Sequence, residues 1–224
     1  NCTVALHLAM IICGVDKATE VICPSLTFVA TVNAINYVGA KPVFADIESC
    51  ENLTISPNDI KSKINKKTKA IVVMHYAGYS CQMEEIKNIA YENNLLIIED
   101  SCHAPLAEFN GQKLGSIGDF GCFSFFSNKN ISTGEGGMII TDNKKYYERA
   151  KLLRSHGMTS LSYDRSRGHS FNYNVTEPGY NYRIDDIRSS IGLAQLKKIK
   201  VDINKRELIR NHYIKSLANI NEII

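Results

Sequence analysis

Hydrophobic positions along the chain fall into short runs that switch between helical and strand spacing. Residues 4–13 (VALHLAMIIC) are apolar nearly all round, which predicts a buried helix ending at Gly14, with Thr3 as its N-cap. Residues 20–23 predict a short strand before Pro24. Ser25 or Thr27 is the expected cap of a helix that runs to about Tyr37 and ends at Gly39. Residues 42–45 read as a strand ending at Asp46, 57–64 as a short helix, and the β-branched run 70–74 (AIVVM) as a strand. Across 83–93, Ile86, Ile89 and Ala90 recur at helical spacing and face inward, and residues 95–99 form the next strand.

Residues 122–126 and 138–141 continue the strands, and 143–155 is a helix with its charges outward. Residues 160–177 are polar, aromatic and unperiodic, hence a long loop. Residues 185–200 and 206–217 are helical, with Ile187, Ile191, Ala194 and Ile199 on one side of the first. Repeated alternation of strand and helix predicts an α/β fold, a mostly parallel sheet covered by helices on both faces. Ligands of such sheets collect outside the carboxyl ends of the strands. Asp100, His75 and the stretch 124–129 all fall at such ends, so they are expected at one crevice.

Composition narrows the function classes. The chain has 224 residues, 44% hydrophobic and 22% charged, enough for one or two domains with a sizeable core. A net charge of +3 without a dense Lys/Arg patch argues against nucleic acid. The seven cysteines are odd in number, widely spaced and without C-x-x-C spacing. They read as free thiols of a reducing cytoplasm, not a disulfide scaffold or a zinc site. No apolar run is long enough to span a bilayer, and no cleavable leader is recognisable. The chain starts without methionine and stops just after a long helix, the ends expected of a fragment.

The candidate chemistry lies in residues 121–137, GCFSFFSNKNISTGEGG. One lysine, Lys129, sits between an apolar run and a glycine-rich turn, among small polar residues. Upstream, LLIIED ends a strand in Asp100. Aspartate, serine and lysine are the groups a pyridoxal-phosphate site needs. The aspartate pairs with the pyridinium nitrogen, the serine (Ser124) with the phosphate, and the lysine with the aldehyde as a Schiff base. His103 would lie near the ring or be a satisfied buried histidine; the pattern allows both. The helix start at Thr3 offers free N–H groups to a phosphate, and Phe28 could stack on a flat cofactor or be plain core. The glycines of GQKLGSIGDFG do not follow a strand and open a helix, which discounts a dinucleotide site.

These residues lie in segments that together resemble a known family. The segments are CTVALHLA (2–9), EVICPSLTFVATVNAI (20–35), GAKPVFADI (39–47), TKAIVVMHYAG (68–78), IIEDSCHA (97–104), GSIGDFGCFSFFSNKNISTGEGG (115–137), LRSHGM (153–158) and PGYNYRIDDIRSSIGLAQL (178–196). In this order, the chain resembles the sugar-nucleotide aminotransferases of the DegT/DnrJ/EryC1/StrS group. The resemblance implies a fold-type I aminotransferase large domain and a homodimer with shared active sites. By motif position it implies Lys129 as the Schiff-base lysine, Asp100 as the ring-nitrogen partner and His103 near the cofactor. It likewise implies Ser124, Thr3 and Val4 at the phosphate and Phe28 over the ring. Asn181 would reach the neighbour's cofactor phosphate, with Arg183 able to serve instead.

The implied reaction moves an amino group, from L-glutamate by resemblance, to a nucleotide-diphosphate keto-sugar. Two rivals stay open: a pyridoxal-phosphate sugar dehydratase or lyase of the same fold, against which the retained Lys129 argues, and a non-catalytic regulatory relative. Residues 1–200 are expected to form the cofactor-binding large domain, without its N-terminal lead, and 201–224 to begin a small C-terminal domain.

Overall fold

The computed structural model describes residues 1–159 and 172–220. The expectation for 160–177 therefore lies largely outside the described residues. Among them, a six-stranded sheet runs β2 (Lys41–Ala45), β1 (Glu20–Pro24), β3 (Thr68–Met74), β4 (Leu96–Asp100), β7 (Phe120–Ser124), β8 (Gly137–Ile140). Every pairing is parallel except the last, where β8 returns antiparallel to β7. A small hairpin, β5 (Glu108–Phe109) and β6 (Gln112–Lys113), stands apart.

Alternation along the strands explains why both faces are buried. Val21, Cys23, Ala70, Val72, Ile98, Phe120 and Cys122 point to one face, and Ile22, Ile71, Val73 and Ile97 to the other. The first face packs on α1 (Cys2–Ile12), α2 (Val29–Tyr37) and α5 (Lys144–Leu153), through residues such as Leu6, Met10, Ile35 and Leu153. The second packs on α3 (Pro57–Lys63) and α4 (Met83–Glu92), through Ile60, Met83 and Ile86. Each such fully buried side chain stabilises the fold by about 1.5–3 kcal/mol. The all-round apolar character of α1 has a direct cause: it touches α2, α5, β7 and β8.

Two expected caps are corrected. Helix α1 begins one residue before Thr3, because the side chain of Asn1 accepts the Val4 N–H at 3.2 Å and leaves Thr3 in the first turn. Neither Ser25 nor Thr27 caps α2, whose N-cap is Phe28 without a side-chain bond. The Thr27 hydroxyl turns instead to Thr31, 3.1 Å away on the next turn. At the far end, α6 (Asp186–Leu196) is capped by Asp185 and leaves Ile187 and Ile191 exposed, while α7 (Ile199–Leu217) buries only Ile199.

Candidate active site

Glu99 and Asp100 are neighbours at the end of β4, and the two-residue period of the strand sends them to opposite faces. Glu99 enters the α3/α4 side and is wholly buried. His75 Nε2 stands 2.9 Å from its carboxylate, and the N–H groups of Gly115, Ile117 and Gly118 donate to it at 2.6–2.7 Å. The Cys81 N–H donates to His75 Nδ1, which leaves Nε2 as the nitrogen that donates to Glu99. Burial opposes the Glu99 charge, yet His75 and the backbone donors outweigh it and hold the carboxyl below its ordinary value of 4.5.

This arrangement corrects the expectation for His75. It follows a strand end but turns into the core, because Glu99 needs its Nε2–H there, and it is closed off from the crevice. The same arrangement explains the glycine-rich segment before β7, which wraps a carboxylate. Gly121 packs so closely on Gly115 that a Cβ would meet its carbonyl oxygen.

Asp100 enters the α1/α2 side and is 3% exposed. Thr31 of α2 donates its hydroxyl to Oδ2 at 3.0 Å, and the Cys102 N–H donates to Oδ1 at 3.2 Å. In the sheet register Asp100 lies between Met74 of β3 and Cys122 of β7, at the carboxyl ends of the strands. Two thiols adjoin it. Cys2 has its thiolate favoured by a hydrogen bond with Cys102, but burial and the Asp100 charge win and push it up to about 11. Cys102 is pushed up further by its bond to Cys2, by burial and by Asp100.

His103 and Lys129 converge on the same end of the sheet. Burial, and then the positive charge of Lys129, push the His103 imidazole below its ordinary 6.5, with Asp100 opposing. His103 Nδ1 accepts the Ala77 N–H at 3.3 Å, leaving Nε2 as its remaining polar atom. Lys129 is half-buried in a turn closed by its own N–H to Phe126 O, and among the described residues it joins no salt bridge.

Lys129, Ser124, Val4 and Asn181 line one cavity of about 890 Å³. Its wall also carries Arg154 and Arg183; Arg154 Nε is buried without a hydrogen-bond partner among the described residues. Gly137 borders the cavity against the start of α1, where a Cβ would meet the carbonyl carbon of Asn1 and the amide nitrogen of Cys2. Asn1 takes the N–H groups of Val4 and Ala5, so those of Cys2 and Thr3 carry no bond to the described residues.

The remaining expected residues are Thr3, Phe28 and Asn181. Thr3 is half-buried in the first turn of α1. Phe28 precedes α2, is 67% exposed and stands outside the 890 Å³ cavity. Asn181 is exposed between Tyr180 and Tyr182, whose rings stack at 4.7 Å on one side of the segment. Both tyrosines pack on His7 of α1, and the Tyr182 hydroxyl lies 3.1 Å from His7 Nδ1.

Reasoning from sequence missed Thr31, Arg154 and the two thiols. A signal existed for Thr31, a hydroxyl on the buried side of an apolar helix one turn after Thr27. Arg154 carried no local signal, since it is brought in by the end of α5.

The donor set fits pyridoxal phosphate. A lysine outside any salt bridge among the described residues, a buried carboxylate, a serine hydroxyl and a helix N-terminus lie at one end of the sheet, with two arginines on the cavity wall. Comparison with known proteins agrees. The model of the DegT/DnrJ/EryC1/StrS aminotransferase family matches residues 1–224. The GDP-perosamine synthase of Escherichia coli O157:H7 is 42% identical over 224 residues, which is all of this chain and 58% of that protein. Helicobacter pylori PseC, an aminotransferase involved in pseudoaminic acid biosynthesis, superposes with a TM-score of 0.89 at 33% identity, over 99% of this chain and 58% of that one. Spr1654 of Streptococcus pneumoniae, solved in a PLP form, gives a TM-score of 0.88 at 28% identity over 97% and 58%. The chain thus spans under two thirds of the length of these relatives. Among the described residues no helix is long and apolar enough to cross a membrane.

Proposed function

The chain belongs to the DegT/DnrJ/EryC1/StrS aminotransferase family, and on that premise we propose that the protein is a pyridoxal-phosphate aminotransferase acting on a nucleotide-linked keto-sugar. L-Glutamate is the proposed donor. The observation that carries this reading is the meeting of Asp100, His103 and Lys129 at the carboxyl ends of β4 and β7.

When bound, pyridoxal phosphate supplies an aldehyde that condenses with amines and a cationic ring that withdraws electrons. Lys129 Nζ would hold it covalently at rest; among the described residues it joins no salt bridge, which suits that task. Displaced by the donor, Nζ would take the proton away from the donor's α-carbon and, in the second half of the cycle, deliver one to the sugar carbon that receives nitrogen. Asp100 would hold a proton on the ring nitrogen, and the Thr31 hydroxyl fixes its carboxylate. Ser124 and the N–H groups of Cys2 and Thr3, which carry no bond to the described residues, would take the phosphate, with the partial positive charge of α1 behind them. His103 would lie near the ring, and Phe28, exposed just before α2 and outside the cavity, would cover it from the solvent side.

Arg154 and Arg183 on the cavity wall suit an anionic ligand, and a nucleotide diphosphate is the anion of the proposed substrate. GDP-perosamine synthase and PseC among the relatives support a sugar-nucleotide substrate. We further propose a homodimer with Asn181 shared across its interface, in the cytoplasm; the seven free cysteines fit a reducing compartment. The test is a panel of nucleotide keto-sugars offered with L-glutamate to the full-length protein. Amino-sugar and 2-oxoglutarate should appear together. Loss of a hydroxyl without nitrogen transfer would assign the protein to the dehydratases instead.

A further inference from the structure

Two of the seven cysteines meet beside Asp100. Cys2 opens α1, Cys102 lies two residues beyond the end of β4, and their sulfurs lie with an Asp100 carboxylate oxygen within 4.8 Å of one another. They are far apart in the chain but held together by one core: Cys2 is 6% exposed and belongs to it, and Cys102 packs against the same cluster.

We propose that Cys2, Cys102 and Asp100 form a binding site for a thiophilic divalent cation such as Zn²⁺. In a tetrahedral zinc site with bonds of about 2.0–2.3 Å, ligand atoms stand about 3.5–3.8 Å apart, so adjustments of about an ångström close the set around the metal. Two sulfurs and one carboxylate select zinc or cadmium and discriminate against magnesium and calcium, which require oxygen donors. Cys102 also lines the 890 Å³ cavity, which provides an entry path and a fourth position for water. The Thr31 hydroxyl and the Cys102 N–H already orient the carboxylate, as outer partners do in metal centres.

The site has a consequence that rests on the function proposed above. A cation on Asp100 occupies the carboxylate assigned to the ring nitrogen, so metal and pyridoxal phosphate exclude each other. Cadmium is the practical probe, because its thiolate complexes absorb in the ultraviolet. The full-length protein, free of cofactor and with its thiols reduced, should take up one equivalent of Cd²⁺ with a sulfur-to-metal band. The band should persist in Cys50→Ser, whose thiol is exposed elsewhere, and vanish in Cys2→Ser and in Cys102→Ser. Circular dichroism checks that each variant is folded, and Cys102→Ala, at the less buried thiol, decides the matter if Cys2→Ser is not. Absence of the band in the wild type, or its survival in Cys102→Ala, overturns the site. Dialysed cofactor-loaded protein should show no band. A band there would leave the metal site standing and overturn the placement of Asp100 at the ring.

Discussion

The Thr31 hydroxyl donates to Asp100 Oδ2 at 3.0 Å, joining the first turn of α2 to a strand end 69 positions later. Thr27 stands behind Thr31 in the same chain of hydroxyls. A carboxylate held in this way is oriented before any ligand arrives, which is what an electrostatic role at a reacting centre requires.

Asp100→Asn should lower turnover by about 10²-fold, near 3 kcal/mol, while cofactor affinity changes far less. A neutral amide cannot hold the ring-nitrogen proton as a carboxylate does. Thr31→Val should cost less than that, and Thr31→Ser should restore the wild-type rate because the hydroxyl returns. Steady-state kinetics with a cofactor titration reads both parameters. Turnover near wild type in Asp100→Asn would make the residue structural.

Glu99 gives a stability prediction. Its carboxyl is held below the ordinary 4.5 in the folded chain, so its contribution is complete above that value and is lost as pH falls through the depressed folded value. Glu99→Gln places an amide among His75 and three backbone N–H donors, and should destabilise the fold by about 3 kcal/mol at neutral pH. The difference from wild type should shrink as both are acidified below the 4.5 value. Urea unfolding at several pH values measures it, and a difference independent of pH would contradict the assignment.

Local pattern carried most of the fold. β3 and β4 were legible because β-branched runs admit little else, and α4 because Ile86, Ile89 and Ala90 repeat at helical spacing. The cap at Thr3 was misread because Asn1 and Thr3 are both good caps, and only the chain path decides between them. The two carboxylates of β4 were legible as a pair, but their division of labour depends on where Thr31 and the Gly115–Gly118 N–H groups fall in three dimensions. His75 was misplaced for that reason. Arg154 and the Cys2–Cys102 pair were illegible because each arises from segments far apart in the chain.

Tyr182→Phe should cost about 1 kcal/mol by removing the hydroxyl paired with His7 Nδ1. The two stacked rings anchor the segment that carries Asn181 and Arg183 on His7 of α1, so the same change should raise hydrogen exchange across residues 179–183. Unchanged exchange there would show that ring stacking alone fixes the segment.

The proposed sharing of the site between two copies predicts complementation. A Lys129→Ala variant and one changed at both Asn181 and Arg183 should each be inactive. Mixed, they should regain activity, because one site of the hybrid carries both lesions and the other none. Asn181 and Arg183 also edge the cavity of their own chain. Hybrids that form but stay inactive would assign both residues to that cavity alone.

The central claim is that Lys129 carries the cofactor. Full-length protein incubated with pyridoxal phosphate, reduced with borohydride and digested, should yield one peptide bearing the added mass, with fragmentation placing it on Lys129. A label on any other lysine, or none in protein that retains the cofactor, would contradict the account.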